Sequence, residues 1–429
     1  MPSTHSLPGL ALTDHEFEVP LDYSHPERET IMVFAREVVA PSKQGADLPW
    51  LVFFQGGPGG KSPRPEQASG WIKRALEEYR VLLLDQRGTG RSTPVNRQTL
   101  ARRGDPKAQA AYLQHFRADA IVQDAEHIRT VLLGPDKQWS VLGQSYGGFC
   151  VLHYLSRRPE GLREAFITGG LPPIDRTADE IYRQTYRRVC EQNRRYFARH
   201  PADQAVAQAI VVLLDANSVL LPNGERLTAR RFQSLGMALG MSDGFEQIHY
   251  LLDEAFVAGA TGNELSDTFL YAAMNALTFA GSPLYAILHE SIYGQEAGTH
   301  WAAERVRGEY PEFALKPGAP VWFTGEMIYP WIFDEDNALR PLKQAAEILA
   351  RHDDWPRLYD GDRLRANVVP CAAVIYADDM YVERTFSEET AQIVRGCRVW
   401  LTNEYQHNGL RADGEIVLGR LIAMARGER

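Results

Sequence analysis

Short, wholly apolar runs that end near glycine alternate with longer stretches of helical spacing through the first part of the chain. Trp50–Phe54 (WLVFF), Arg80–Asp85 (RVLLLD), Trp139–Gly143 (WSVLG) and Glu164–Thr168 (EAFIT) are too short for helices and show no polar alternation. Runs of that kind predict strands buried on both faces of a parallel sheet. Ahead of them, Glu16–Pro20 and Thr30–Val39 alternate and predict a hairpin or paired early strands. Between the apolar runs, Arg117–Leu133 sets Ile121, Ala125, Ile128 and Leu132 at helical spacing, and Tyr146–Leu155 follows the third run directly. Strand–helix–strand alternation predicts a doubly wound α/β sheet.

The pattern changes after Pro172–Pro173. Helical spacing then dominates, clearest at Ala178–Arg199 and Phe245–Ala258, with Ala319–Thr324 (APVWFT) as an isolated strand signal. Val368–Tyr376 and Arg398–Leu401 restore the strand pattern, and Glu415–Arg426 predicts a closing helix. The expected organisation is therefore a core of residues 1–174 and 366–429, with residues 175–365 inserted as a mostly helical cap. Such a cap covers the C-terminal edge of the sheet, where ligands bind in open α/β folds.

The sharpest chemical signal is Gly143-Gln144-Ser145-Tyr146-Gly147, followed by Gly148, with an apolar strand before it and a helix after it. G-x-S-x-G in that context predicts a sharp, strained turn that lifts the serine hydroxyl above the sheet. A serine hydroxyl is a poor nucleophile near neutral pH, so it needs a histidine base held by an acid, which follow in the order Ser, acid, His. His407 sits in a turn-rich loop past a predicted strand and is the candidate base; His115, His127 and His153 belong to helices, and His352 to the flank of the cap. Asp378-Asp379 closes the preceding strand, and only one of these neighbours can face His407; Asp379 is preferred. An oxyanion hole needs backbone N–H groups, predicted here from Tyr146 and from the Gln55–Gly60 turn at Gly57, with Gly56 as the second choice.

Gly60-Lys61-Ser62 imitates the end of a phosphate-binding loop. That motif requires glycine at position 55, where Gln55 stands, and Pro63 and Pro65 obstruct the helix that must follow. The 429 residues are 44% hydrophobic and 24% charged, an ordinary globular balance, with a net charge of −9. An acidic chain without a basic stripe argues against a nucleic-acid partner. Cys150, Cys190, Cys371 and Cys397 form neither a disulfide framework nor a C-x-x-C metal or redox pair. No apolar run approaches the ~20 residues of a membrane span, and Met1–Leu12 lacks the charged start and apolar stretch of a secretion signal. The expectation is a soluble, cytoplasmic protein with no metal or organic cofactor and no membrane partner.

Three segments together, Gly56-Gly57-Pro58-Gly59-Gly60, Asp85-Gln86-Arg87-Gly88-Thr89-Gly90-Arg91-Ser92 and Gly143–Gly148, are similar to those of the proline iminopeptidases of the α/β-hydrolase superfamily. The likeness runs from Glu16–Tyr23 to His407–Arg411 and is strongest to the longer bacterial form with an enlarged cap. It implies a serine exopeptidase that releases an N-terminal residue, preferably proline, from short peptides with a free amino terminus. Ser145 would be the nucleophile, and an Asp-Met context matching Asp379-Met380 would supply the acid. Cap carboxylates would hold the substrate amine, with Glu290 and Glu326 as candidates, and Tyr293, Tyr329, Trp322 and Trp331 could wall an apolar pocket for the pyrrolidine ring. Gln55 stands where many hydrolases of this fold carry histidine. A carboxylesterase or lipase would use the same triad, and a non-catalytic member would keep the fold as a binding module; serine at the elbow excludes the aspartate nucleophile of epoxide hydrolases and dehalogenases.

Overall fold

The computed structural model describes residues 3–259 and 262–428. Among these, nine strands form the central sheet: β1 (Ser3–Leu7), β2 (Leu10–Pro20), β3 (Thr30–Val39), β4 (Trp50–Phe54), β5 (Arg80–Leu84), β6 (Trp139–Gln144), β7 (Leu162–Thr168), and, after the hairpin β8 (Phe256–Gly259) and β9 (Gly262–Leu265), β10 (Cys371–Tyr376) and β11 (Cys397–Thr402). Their order is β1-β2-β3-β5-β4-β6-β7-β10-β11. Along this order β1, β2, β3 and β5 pair antiparallel in turn, and β5, β4, β6, β7, β10 and β11 run parallel.

The apolar runs are explained by burial on both faces. Leu51 and Phe53 of β4 join one core with Trp71, Leu83, Leu142 and Leu421, whereas Val52 and Phe54 join the other with Leu82, Val141, Ile121 and Ile128. Helices Gly70–Ala75 and Gly414–Arg426 cover the first face, and Ala118–Leu133 and Tyr146–Arg157 cover the second.

Between β7 and β10 the named elements of the described chain are helices apart from the β8–β9 hairpin. Its first helix, Ala178–Arg199, starts at a reciprocal cap: Glu180 N–H donates to Thr177 Oγ1 at 3.3 Å and Thr177 N–H to Glu180 Oε2 at 2.9 Å. Two expectations need correction here. Phe245–Ala258 is helical only over Gly244–Asp253, because the Ala255 carbonyl accepts from Ser266 N–H (2.9 Å) and the chain turns into β8. Ala260 and Thr261 lie outside the described residues. Ala319–Thr324 is no strand; buried side chains take the place of a ladder. Phe323 exchanges two 2.8 Å hydrogen bonds with the Asn193 amide, and the Trp322 carbonyl accepts from Gln233 Nε2 at 2.8 Å.

Arg117 ties this region to the sheet. Its buried guanidinium donates to the carbonyls of Ser291 (2.9 Å), Gly294 (2.6 Å) and Pro356 (3.1 Å) and lies 4.2 Å from the Trp355 ring. Among the described residues no helix is long and apolar enough to cross a membrane.

Candidate active site

Ser145 joins β6 to the helix Tyr146–Arg157 with φ 56° and ψ −125°, a conformation a side chain rarely adopts. The turn is held from outside: Ser145 N–H donates to Thr168 O (2.9 Å), and its carbonyl accepts from Gly148 N–H (2.7 Å). Its glycines are dictated by space. A Cβ on Gly147 would stand 1.9 Å from Phe54 O, and one on Gly148 would stand 2.4 Å from Gly170 O.

His407 hangs in the loop after β11, its N–H donating to Gly240 O of the helical region at 3.1 Å. Ser145 Oγ lies 2.8 Å from His407 Nε2, and His407 Nδ1 lies 2.7 Å from Asp379 Oδ2. A carboxylate only accepts, so Nδ1 carries the proton and Nε2 is free to receive the one from Ser145. The other Asp379 oxygen accepts from Tyr381 N–H (2.8 Å) and Val382 N–H (3.1 Å), which fixes the acid. Asp378 turns away to Arg195 at 2.6 Å. Burial is the largest influence on His407 and opposes its protonation, but the charge and hydrogen bond of Asp379 together with the charge of Glu326 outweigh it, so the imidazole pKa stands above its ordinary 6.5. The Tyr381 ring packs edge-on against the imidazole at 4.7 Å.

The glycine turn after β4 lies against the elbow; a Cβ on Gly56 would stand 2.9 Å from Ser145 Cβ. Among the described residues neither Gly57 N–H nor Tyr146 N–H has a protein acceptor. The Gly57–Pro58 peptide is cis. Asp85 braces this turn by accepting from Ser62 N–H (3.0 Å), Arg91 N–H (2.9 Å) and Arg64 Nη1 (3.0 Å), while Gln86 Nε2 donates to Gln55 O (3.0 Å). Ser62 is thereby committed, its hydroxyl donating to Leu84 O at 2.6 Å, and the phosphate-loop likeness has no structural counterpart. Arg87 is buried against Asp124, with Nε donating at 2.7 Å, so the DQRG segment is a brace for the site.

Residues 49–273 match the family described as alpha/beta hydrolase fold. The chain is 51% identical over 426 residues to the proline iminopeptidase of Aeromonas sobria, covering 99% of each. The chain belongs to the proline iminopeptidases. A second relative, the proline iminopeptidase aneH of Aspergillus aculeatus, is 35% identical over 98% of this chain and 95% of its own. In this iminopeptidase, the candidate amine-binding and pocket residues have distinct surroundings. Glu326 is half-buried and accepts from the Tyr285 hydroxyl. Its negative charge is felt at His407, Tyr293 and Tyr381, where it disfavours loss of a proton. Glu290 is occupied differently: its oxygens accept from Ala302 N–H (2.9 Å) and Ala303 N–H (2.8 Å), capping the helix Ala302–Arg307, and burial raises its pKa to about 7.

Tyr293 has Phe149 at 5.9 Å and Tyr182 at 6.2 Å, and lines a cavity of about 560 Å³ with Ile174, Thr177 and Gln295. Tyr329 is fully buried, not on an open pocket wall. Its hydroxyl lies 2.9 Å from that of Tyr186, and its ring is stacked on Trp331 at 5.2 Å. Trp331 donates to Glu304 (3.1 Å) beneath Arg230, and Trp322 carries Arg194 at 5.4 Å. The Tyr381 and Val382 amides that hold Asp379, and the Tyr285 hydroxyl on Glu326, carry no local sequence signature.

Proposed function

We propose that this chain is a serine exopeptidase that releases N-terminal proline from short peptides through an acyl-enzyme on Ser145. The 2.8 Å approach of Ser145 Oγ to His407 Nε2, at a serine held with positive φ, carries the reading. His407 takes the hydroxyl proton as Ser145 attacks the carbonyl of the first residue, and Asp379 steadies the imidazolium that results. The oxyanion lies between the Gly57 and Tyr146 amides, where each donor contributes about 3 kcal/mol to the transition state. His407 then protonates the leaving nitrogen, and water repeats the sequence on the ester.

Glu326 is the carboxylate we assign to the substrate amine, because its charge reaches His407 and Tyr293, whereas both Glu290 oxygens are held by backbone amides. Tyr293 is the candidate wall for the pyrrolidine ring. Residues 175–365 are the proposed lid. Four free thiols, with Cys371 and Cys397 opposite one another on adjacent strands, are in keeping with a reducing, cytoplasmic setting.

A panel of aminoacyl naphthylamides against simple acetate esters tests the reading. Proline naphthylamide should be the best substrate, and Ser145→Ala should abolish its turnover while leaving the fold intact. Preference for acetate esters, or turnover by Ser145→Ala, would overturn it.

A further inference from the structure

A second cavity, of about 700 Å³, opens beside His407. Gln55 and Gln144, the neighbours of Gly56 and Ser145, form part of its wall, and His407, Asn408 and Arg411 form another. This volume lies within the range of small-ligand sites. Its two cations differ in availability. Arg64 is committed to the buried Asp85 through two hydrogen bonds. Arg411, in the short helix Gly409–Ala412 directly after the base, has only a 3.5 Å contact with Asp243, both side chains being more than half exposed. Glu66 is the one carboxylate in the lining. The Arg411 charge reaches Tyr381, whose ring packs on His407.

We propose that this cavity receives the leaving peptide and that Arg411 binds its terminal carboxylate, so that the enzyme selects short peptides with a free C-terminus. The proposal rests on the roles given above to Ser145 and His407. The leaving nitrogen must come within about 3 Å of His407 Nε2 to be protonated, so the departing chain starts beside the imidazole that walls this cavity. A guanidinium with free N–H groups matches a carboxylate in a two-pronged fork, which neither an amide nor an aryl leaving group reproduces.

The test compares kcat/KM for Pro-Gly-Gly and its C-terminal amide, with proline naphthylamide as the third substrate, in the parent enzyme, Arg411→Gln and Arg411→Lys. The parent should favour the free acid about fivefold or more, mainly through KM, the size of a part-exposed charge-assisted contact. Arg411→Gln should bring the acid-to-amide ratio close to one, and Arg411→Lys should retain part of it. A parent without the preference, or a preference that survives in Arg411→Gln, overturns the assignment of Arg411. A parent that leaves proline naphthylamide uncut overturns the reaction itself.

Discussion

Ser145 carries a positive φ that a Cβ makes unfavourable, and serine and alanine bear that burden alike. Glycine does not. Ser145→Ala should therefore unfold near the parent, whereas Ser145→Gly should be more stable than Ser145→Ala by about 1 kcal/mol in urea titrations, both being inactive. Glu326 gives a second test at this scale. In the proposed mechanism His407 must be neutral to accept a proton, so activity should rise with pH through a His407 pKa that stands above 6.5. Glu326→Gln removes one of the charges that raise it, and the acid limb of kcat/KM should move to lower pH. The same variant should lose more activity on proline naphthylamide than on acetate esters; equal losses would separate Glu326 from the amine. Ser145 and His407 could be picked from the sequence because glycine spacing and chain order are local properties. The distinction between Asp378 and Asp379 is not local: it depends on Arg195, a helix away, drawing the first outward, and on two amides holding the second inward.

Elements were legible in proportion to how far their hydrogen bonds stay at home. The four parallel runs read as strands because each buries alternate side chains in two separate cores. Ala319–Thr324 has the same composition but takes its bonds from Asn193 and Gln233, so apolar content alone misassigned it. Glu290 shows a related effect, since its helix begins twelve residues later at Ala302, and only folding brings the two together. Its pKa is about 7 in the fold against an ordinary 4.5. The folded chain thus holds the proton more tightly, and this contribution to stability is complete below pH 4.5 and lost as pH rises to about 7. Glu290→Gln should flatten the melting temperature across that window. It should also lower stability by about 1 kcal/mol at acid pH, because an amide oxygen replaces only one of the two caps.

At the scale of the whole molecule, the helical region and the catalytic loops share their fastenings. Gly240 O receives the His407 N–H, Asn408 Oδ1 receives both the N–H and the hydroxyl of Ser242 at 2.8 Å, and Gln192 Nε2 donates to Asp378 O at 3.0 Å. Asn408→Ala should release the base loop: kcat should fall about tenfold with little change in KM, the signature of lost positioning. A shift confined to KM would speak against that role. None of these cross-links shows in sequence periodicity, because each joins residues more than a hundred and fifty positions apart, Gln192 from within a helix.

Those shared fastenings bear on how such an enzyme can be remodelled. A hydrolase whose roof merely rests on its chassis could be given another roof and keep its reactivity. Here a transplanted helical region would have to bring its own equivalents of Gly240, Ser242 and Gln192, or the imidazole would lose its moorings before any new substrate arrived.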